Sequence, residues 1–136
     1  MLPTELRQFF KRYSEAFNAL DANAVAQFYA EPSAIAQGGK VTFWKTRTAV
    51  IENMASLCSL YRERGYQLAE WEPSSYFGQG QSHAIVDLRW SIRWQGNAEP
   101  WVFHTGYNLT RGPEGWSIIL CTAYEESTLH KLSNVA

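Results

Sequence analysis

Few side chains in this 136-residue chain could do chemistry, and they are scattered. Tyr13 sits on a predicted helix, where its hydroxyl could donate a hydrogen bond into a pocket. His104 falls inside a predicted strand and could act as a base of tunable pKa. Across the strands it meets Ser91 and Cys121, which on paper resembles a nucleophile pair. Asp87 is a second candidate base. Trp44, Trp90 and Tyr107 could line a cavity for a flat apolar ligand. His83 and His130 stand alone, and no set of His, Asp or Glu has metal-ligand spacing. No glycine-rich phosphate loop follows a strand and opens a helix. The sequence therefore implies no metal and no cofactor.

The elements that must position these residues follow from periodicity. Leu6, Phe9, Phe10, Tyr13, Phe17 and Leu20 recur at three- and four-residue steps, which predicts a helix over 4–20. Asp21 can cap a shorter second helix, where Val25, Phe28 and Tyr29 face inward and Pro32 is the stop. Gly38-Gly39-Lys40 predicts a hairpin between 34–37 and 41–45. Thr46 or Thr48 opens a third helix with Val50, Ile51, Met54, Leu57, Cys58 and Tyr61 inward. Gly65 ends it. The period then changes to two. Strands are predicted over 66–77, 83–94, 101–110 and 116–124. Helices first and long antiparallel strands afterwards make an α+β domain spanning 1–136, with three N-terminal helices packed on a curved antiparallel sheet.

Register assigns the faces. With Trp94 opposite Trp101, Trp90 pairs with Thr105 and Leu88 with Tyr107, all on one apolar face. Arg89, Ser91, Arg93 and His104 fall on the other, and continuing into the last strand places Cys121 there too. That outer face also carries Ile85, Val102 and Ile119. Its half-apolar character predicts homodimerisation through the sheet. Asp87, Arg89 and Arg93 then read as ion-pairing residues rather than a site. Cys58, on a buried helical stripe, reads as inert. Glu125 and Glu126 read as solvated.

Composition narrows the function. The chain is 46% hydrophobic, 15% aromatic and 18% charged, with six Trp and a net charge of −1. Such a chain folds and has no basic run for nucleic acid. Its apolar runs are too short for a bilayer, and two cysteines without metal spacing suit a reducing compartment. No signal-peptide pattern opens it, so a cytoplasmic location is expected.

The string Arg12-Tyr13-Ser14-Glu15-Ala16-Phe17-Asn18-Ala19-Leu20-Asp21, with Ala24 to Ala30 after it, resembles the opening of the NTF2-like superfamily, the cone-shaped fold of steroid isomerases and SnoaL-like cyclases. The resemblance implies a pocket formed by Tyr13, Phe17, Gln37, Trp44, Trp90, Thr105 and Tyr107. It puts Tyr13 at the position of the isomerase tyrosine that donates to the enolate oxygen. Gln37 falls opposite the general-base aspartate and Thr105 opposite the protonated aspartate. Gln37 has no basic site at neutral pH, so isomerase chemistry by that mechanism is not expected. Nor does the inner face hold the Asp/Arg/Asp set of limonene epoxide hydrolases. The expected function is binding of a small apolar ligand without an evident base. The alternative is a SnoaL-like isomerase, cyclase or dehydratase acting on a cyclic carbonyl compound, with Asp87 or His104 as base. A protein-docking role, as in the transport-factor branch, ranks last because no exposed apolar helix marks a docking site.

Overall fold

A computed structural model describes residues 1–96 and 99–124; Glu125, Glu126 and His130 lie outside them. Three helices, α1 (Thr4–Asn18), α2 (Ala22–Ala26) and α3 (Arg47–Glu63), accompany six strands. These are β1 (Tyr29–Gln37), β2 (Lys40–Trp44), β3 (Tyr66–Gln79), β4 (His83–Trp94), β5 (Trp101–Gly112) and β6 (Gly115–Tyr124). They form one sheet in the order β2-β1-β6-β5-β4-β3. All neighbours are antiparallel except β1 with β6. The fold is the expected α+β arrangement, with three helices and a curved sheet.

Local chemistry sets the boundaries. Asp21 accepts from the Ala24 N–H and Thr46 from the Ala49 N–H, capping α2 and α3 as helix N-termini require. Gly65 takes a φ of 81°, and its carbonyl receives the Gln95 N–H, tying the end of α3 to the end of β4. Pro32 does not end α2. It lies within β1, where the register with β6 is irregular between Tyr29 and Ala34 and a missing N–H breaks no ladder. The free edge of β3 is covered from α1: Asn18 Nδ2 donates to the Ala69 carbonyl, and the Ala69 N–H and the Tyr66 hydroxyl donate to Asn18 Oδ1. This side chain stands in for a neighbouring strand.

Two register expectations are corrected. Trp101 lies opposite Ile92 rather than Trp94, so Trp90 pairs with Phe103, Leu88 with Thr105 and Val86 with Tyr107. The shift is two residues, so every β4 and β5 side chain keeps its expected face. β4 extends two residues beyond this pairing, and Trp94 meets Tyr66 of β3 there. The second correction is in β6. Asn108 pairs with Leu120 but Leu109 with Ile118, leaving Ile119 as an extra residue. This bulge inverts the phase, so that Ile118, Cys121 and Ala123 are buried while Leu120 and Thr122 turn outward. Cys121 therefore belongs to the core and not to the outer face.

Candidate functional site

The core of the cone is built around Tyr13. α1 is amphipathic, and its Leu6, Phe9, Phe10, Tyr13 and Phe17 stripe is buried against the sheet. Six aromatic rings surround Tyr13 at centroid distances of 5.6–6.3 Å: Phe10, Phe17, Phe28, Tyr29, Trp90 and Tyr107. Strand alternation delivers Trp90 from β4 and Thr105 and Tyr107 from β5 to the same face. Tyr29 enters from the first position of β1.

Within this apolar shell lies a chain of polar atoms. The Tyr13 and Tyr29 hydroxyls are 2.8 Å apart, and the Tyr29 hydroxyl donates to Cys121 Sγ at 3.7 Å. Trp90 Nε1–H donates to the Tyr107 hydroxyl at 3.1 Å. Among the described residues the buried Tyr61 hydroxyl has no partner, and the buried Thr105 hydroxyl lies against that of Tyr107. Burial raises Tyr13, Tyr29 and Tyr107 well above the ordinary tyrosine range, because an apolar surround disfavours the phenolate. Burial also pushes the Cys121 thiol up to about 12. All four groups are therefore neutral at pH 7. They can donate hydrogen bonds to an oxygen, but they offer neither a base nor a thiolate nucleophile.

The sequence-predicted site residues divide. Tyr13, Phe17, Trp90, Thr105 and Tyr107 come together in the core. Trp44 is buried beside them, its ring 5.7 Å from Tyr29. Gln37 shares a register row with Ala123 and Thr105 but sits half-buried at the sheet margin. The enclosed space is small: a void of about 10 Å³ between Phe17, Tyr61, Ala69, Trp90, Ile92 and Phe103. That is room for about one water molecule.

His104 and Asp87 lie on the outer face. The His104 ring stacks on Tyr124 at 5.4 Å, and Asp87 accepts from the Tyr124 hydroxyl. His104 pairs in register with Arg89, not Ser91. Arg89 pairs with Glu72 at 3.5 Å and Arg93 with Glu70 at 3.0 Å. Among the described residues no group of His, Cys, Asp and Glu is arranged to hold a metal ion, and no helix is long and apolar enough to cross a membrane. Sequence reasoning placed Tyr29 and Tyr61 inward on helices but gave neither a part in the pocket, and Tyr29 belongs to β1 instead. Tyr29 lies 16 residues from Tyr13, so no local period links them, and only the closing of β1 against α1 does.

Comparison with known proteins agrees with this architecture. No curated protein matches the chain in sequence. An NTF2-like protein of unknown function from Shewanella oneidensis MR-1 superposes with a TM-score of 0.71 at 18% identity, over 88% of this chain and 95% of that one. A domain of unknown function with a cystatin-like fold from Nostoc punctiforme PCC 73102 gives 0.74 at 17% identity, over 96% and 83%. A ketosteroid isomerase-like protein from Erwinia carotovora atroseptica SCRI1043 gives 0.68 at 15%, over 88% and 92%. At these identities the likeness is one of fold. The family model described as NTF2-like protein (DUF6841) matches residues 4–126, and the chain belongs to that family.

Proposed function

We propose that this protein binds a small, flat, largely apolar molecule carrying a hydrogen-bond-accepting oxygen, and that it does so without transforming it. The observation that supports this reading is the neutral polar cluster in the aromatic core. Packing alone needs rings there, not hydroxyls, and phenylalanine would fill the same volume without desolvating a polar group. Tyr13, Tyr29, Thr105 and Tyr107 instead hold hydroxyls there, and the buried Tyr61 hydroxyl has no partner among the described residues. An acceptor oxygen gives such donors a partner. Entry requires Phe17, Trp90 or Tyr61, which border the small void, to change rotamer. The absence of an inner-face carboxylate or imidazole among the described residues supports binding rather than turnover. A titration with neutral 2-naphthol, followed by the Trp90 indole N–H signal in an NMR spectrum, tests this. Saturable shifts that Tyr13→Phe weakens support it, and no shift at Trp90 rejects it.

The same protein is proposed to pair with a second copy through the outer sheet face. One register row crosses all six strands there: Phe43, Ala34, Leu120, Asn108, Ile85 and Phe77. Its two ends are phenylalanines 75% and 64% exposed. Arg89, Arg93, Glu70 and Glu72 beside it are already paired with one another. The face therefore offers little net charge to a charged partner, while a second copy offers a matching row that is apolar except for Asn108.

A further inference from the structure

The large concavity of this molecule is outside the core. A groove of about 610 Å³ runs between the first three turns of α1, the segment after α2 and the β5–β6 turn. Its volume is within the usual range for small-molecule sites, and it is polar-walled over an aromatic base. We propose that this groove is a binding site for a small organic monoanion with a flat apolar body, anchored by Arg12. The site is separate from the core cluster and does not depend on the reading given above.

The charges in the groove select the ligand. Glu5, Gln8 and Arg12 stand three and four residues apart, which places them along one stripe of α1, beside the buried stripe that carries Tyr13. Arg111 reaches across from the end of β5 and is already engaged. It pairs with Glu5 at 3.4 Å and lies over the Trp116 ring at 5.7 Å. Arg12 has no carboxylate partner among the described residues. Its guanidinium is always charged and is shaped to take a carboxylate through two parallel hydrogen bonds. Glu114, on the turn opposite, repels a second negative charge and so favours a monocarboxylate over a phosphate dianion.

The apolar body has a surface to lie on. Phe28 and Trp116 are half-buried in the groove. Phe28 is held edge-on by Phe9 at 5.3 Å and by Tyr13 at 5.6 Å, so its ring is fixed before a ligand arrives. Gln8 and Gln27 supply amides that can meet a hydroxyl or carbonyl. At the lip, a Cβ built on Gly112 meets nothing within 4 Å, and Gly112 has no positive φ. A side chain is therefore accommodated at this position on the groove's rim.

The test is an NMR titration with 2-naphthoate and its neutral amide. Naphthoate is expected to shift the Trp116 indole N–H and the Gly112 and Gly115 amides saturably, with the neutral amide at least about tenfold weaker, the worth of a charge-assisted pair. Arg12→Gln should weaken naphthoate by about tenfold and leave the neutral amide unchanged. Arg12 is exposed, so its replacement leaves the core intact. Equal binding of acid and amide, or an unchanged naphthoate affinity in Arg12→Gln, overturns the assignment. So does a naphthoate response at Trp90 with none at Trp116, because that places the ligand in the core.

Discussion

Replacing Tyr13 and Tyr29 by phenylalanine, singly and together, measures what the buried hydroxyl pair contributes. The two hydroxyls are 2.8 Å apart and both residues are essentially unexposed. Phenylalanine keeps each ring in place, so no cavity opens and the hydroxyl is the only loss. A neutral buried hydrogen bond contributes about 1 kcal/mol net, and leaving one partner unsatisfied adds a desolvation penalty of about 1 kcal/mol or more. Tyr13→Phe leaves the Tyr29 hydroxyl with only Cys121 Sγ at 3.7 Å, a weak acceptor. Tyr29→Phe leaves Tyr13 without its closest partner. Each single variant should therefore lose about 1–2 kcal/mol. The double variant removes both polar groups and should lose no more than the worse single, a coupling of at least about 1 kcal/mol. Urea unfolding monitored by Trp fluorescence reads these differences directly. For a chain of this size the corresponding shift in Tm is about 4 °C per kcal/mol. Losses that add to within about 0.4 kcal/mol would refute the argument, because independent hydroxyls cannot be partners.

Other consequences follow from the same packing. Burial lifts the Cys121 thiol from 9.0 to about 12, so between those pH values the unfolded chain has released a proton that the folded chain retains. Stability is then full below pH 9 and falls as pH rises toward 12, by about 1.4 kcal/mol per pH unit for that group. Tyr13, Tyr29, Tyr61 and Tyr107 act in the same direction, so their tyrosinate absorbance should appear as one cooperative step with unfolding. A gradual titration of these tyrosines in a folded protein would contradict their burial. Asn18→Ala removes three hydrogen bonds and leaves the Ala69 N–H unmet, which should cost about 2–3 kcal/mol and speed hydrogen exchange at Ala69. Unchanged exchange there would mean that the β3 edge is protected by something else. Phe43→Glu should shift the sedimentation coefficient from dimer to monomer with an unchanged circular dichroism spectrum, since Phe43 is 75% exposed in the monomer. A wild-type monomer would remove the sheet-face proposal.

Much of the fold was legible because its signals are local. The α1 stripe, the Thr46 and Asp21 caps, the Gly65 stop and the period-two strands each depend on residues a few positions apart. The β4 and β5 faces were also legible, because a register error of two residues leaves parity intact. The β6 phase was not. Ile118, Ile119, Leu120 and Cys121 form an unbroken apolar run, and such a run hides the bulge that turns Cys121 inward. Pro32 looked like a helix stop because its place beside β6 depends on a parallel pairing some 90 residues away in sequence. At the site, the inward set from α1, β4 and β5 could be read from periodicity. The partnership of Tyr13 with Tyr29 could not, since it is a tertiary contact. The near-closure of the interior was equally hidden, because side-chain volumes show whether they fill a space only once the space is known. The groove beside Arg12 joins α1, the segment after α2 and the β5–β6 turn, and no spacing in the sequence links those three.

On the proposed reading, the tyrosine cluster binds an acceptor oxygen and performs no chemistry on it. One NMR titration with a flat cyclic enone, recording protein and ligand signals together over hours, addresses both halves. Saturable shifts at the Trp90 indole N–H, with the ligand spectrum unchanged at the end, are the predicted result. Conversion of the enone would show a base where the core holds only neutral donors, and silence at Trp90 would show that the core admits no ligand.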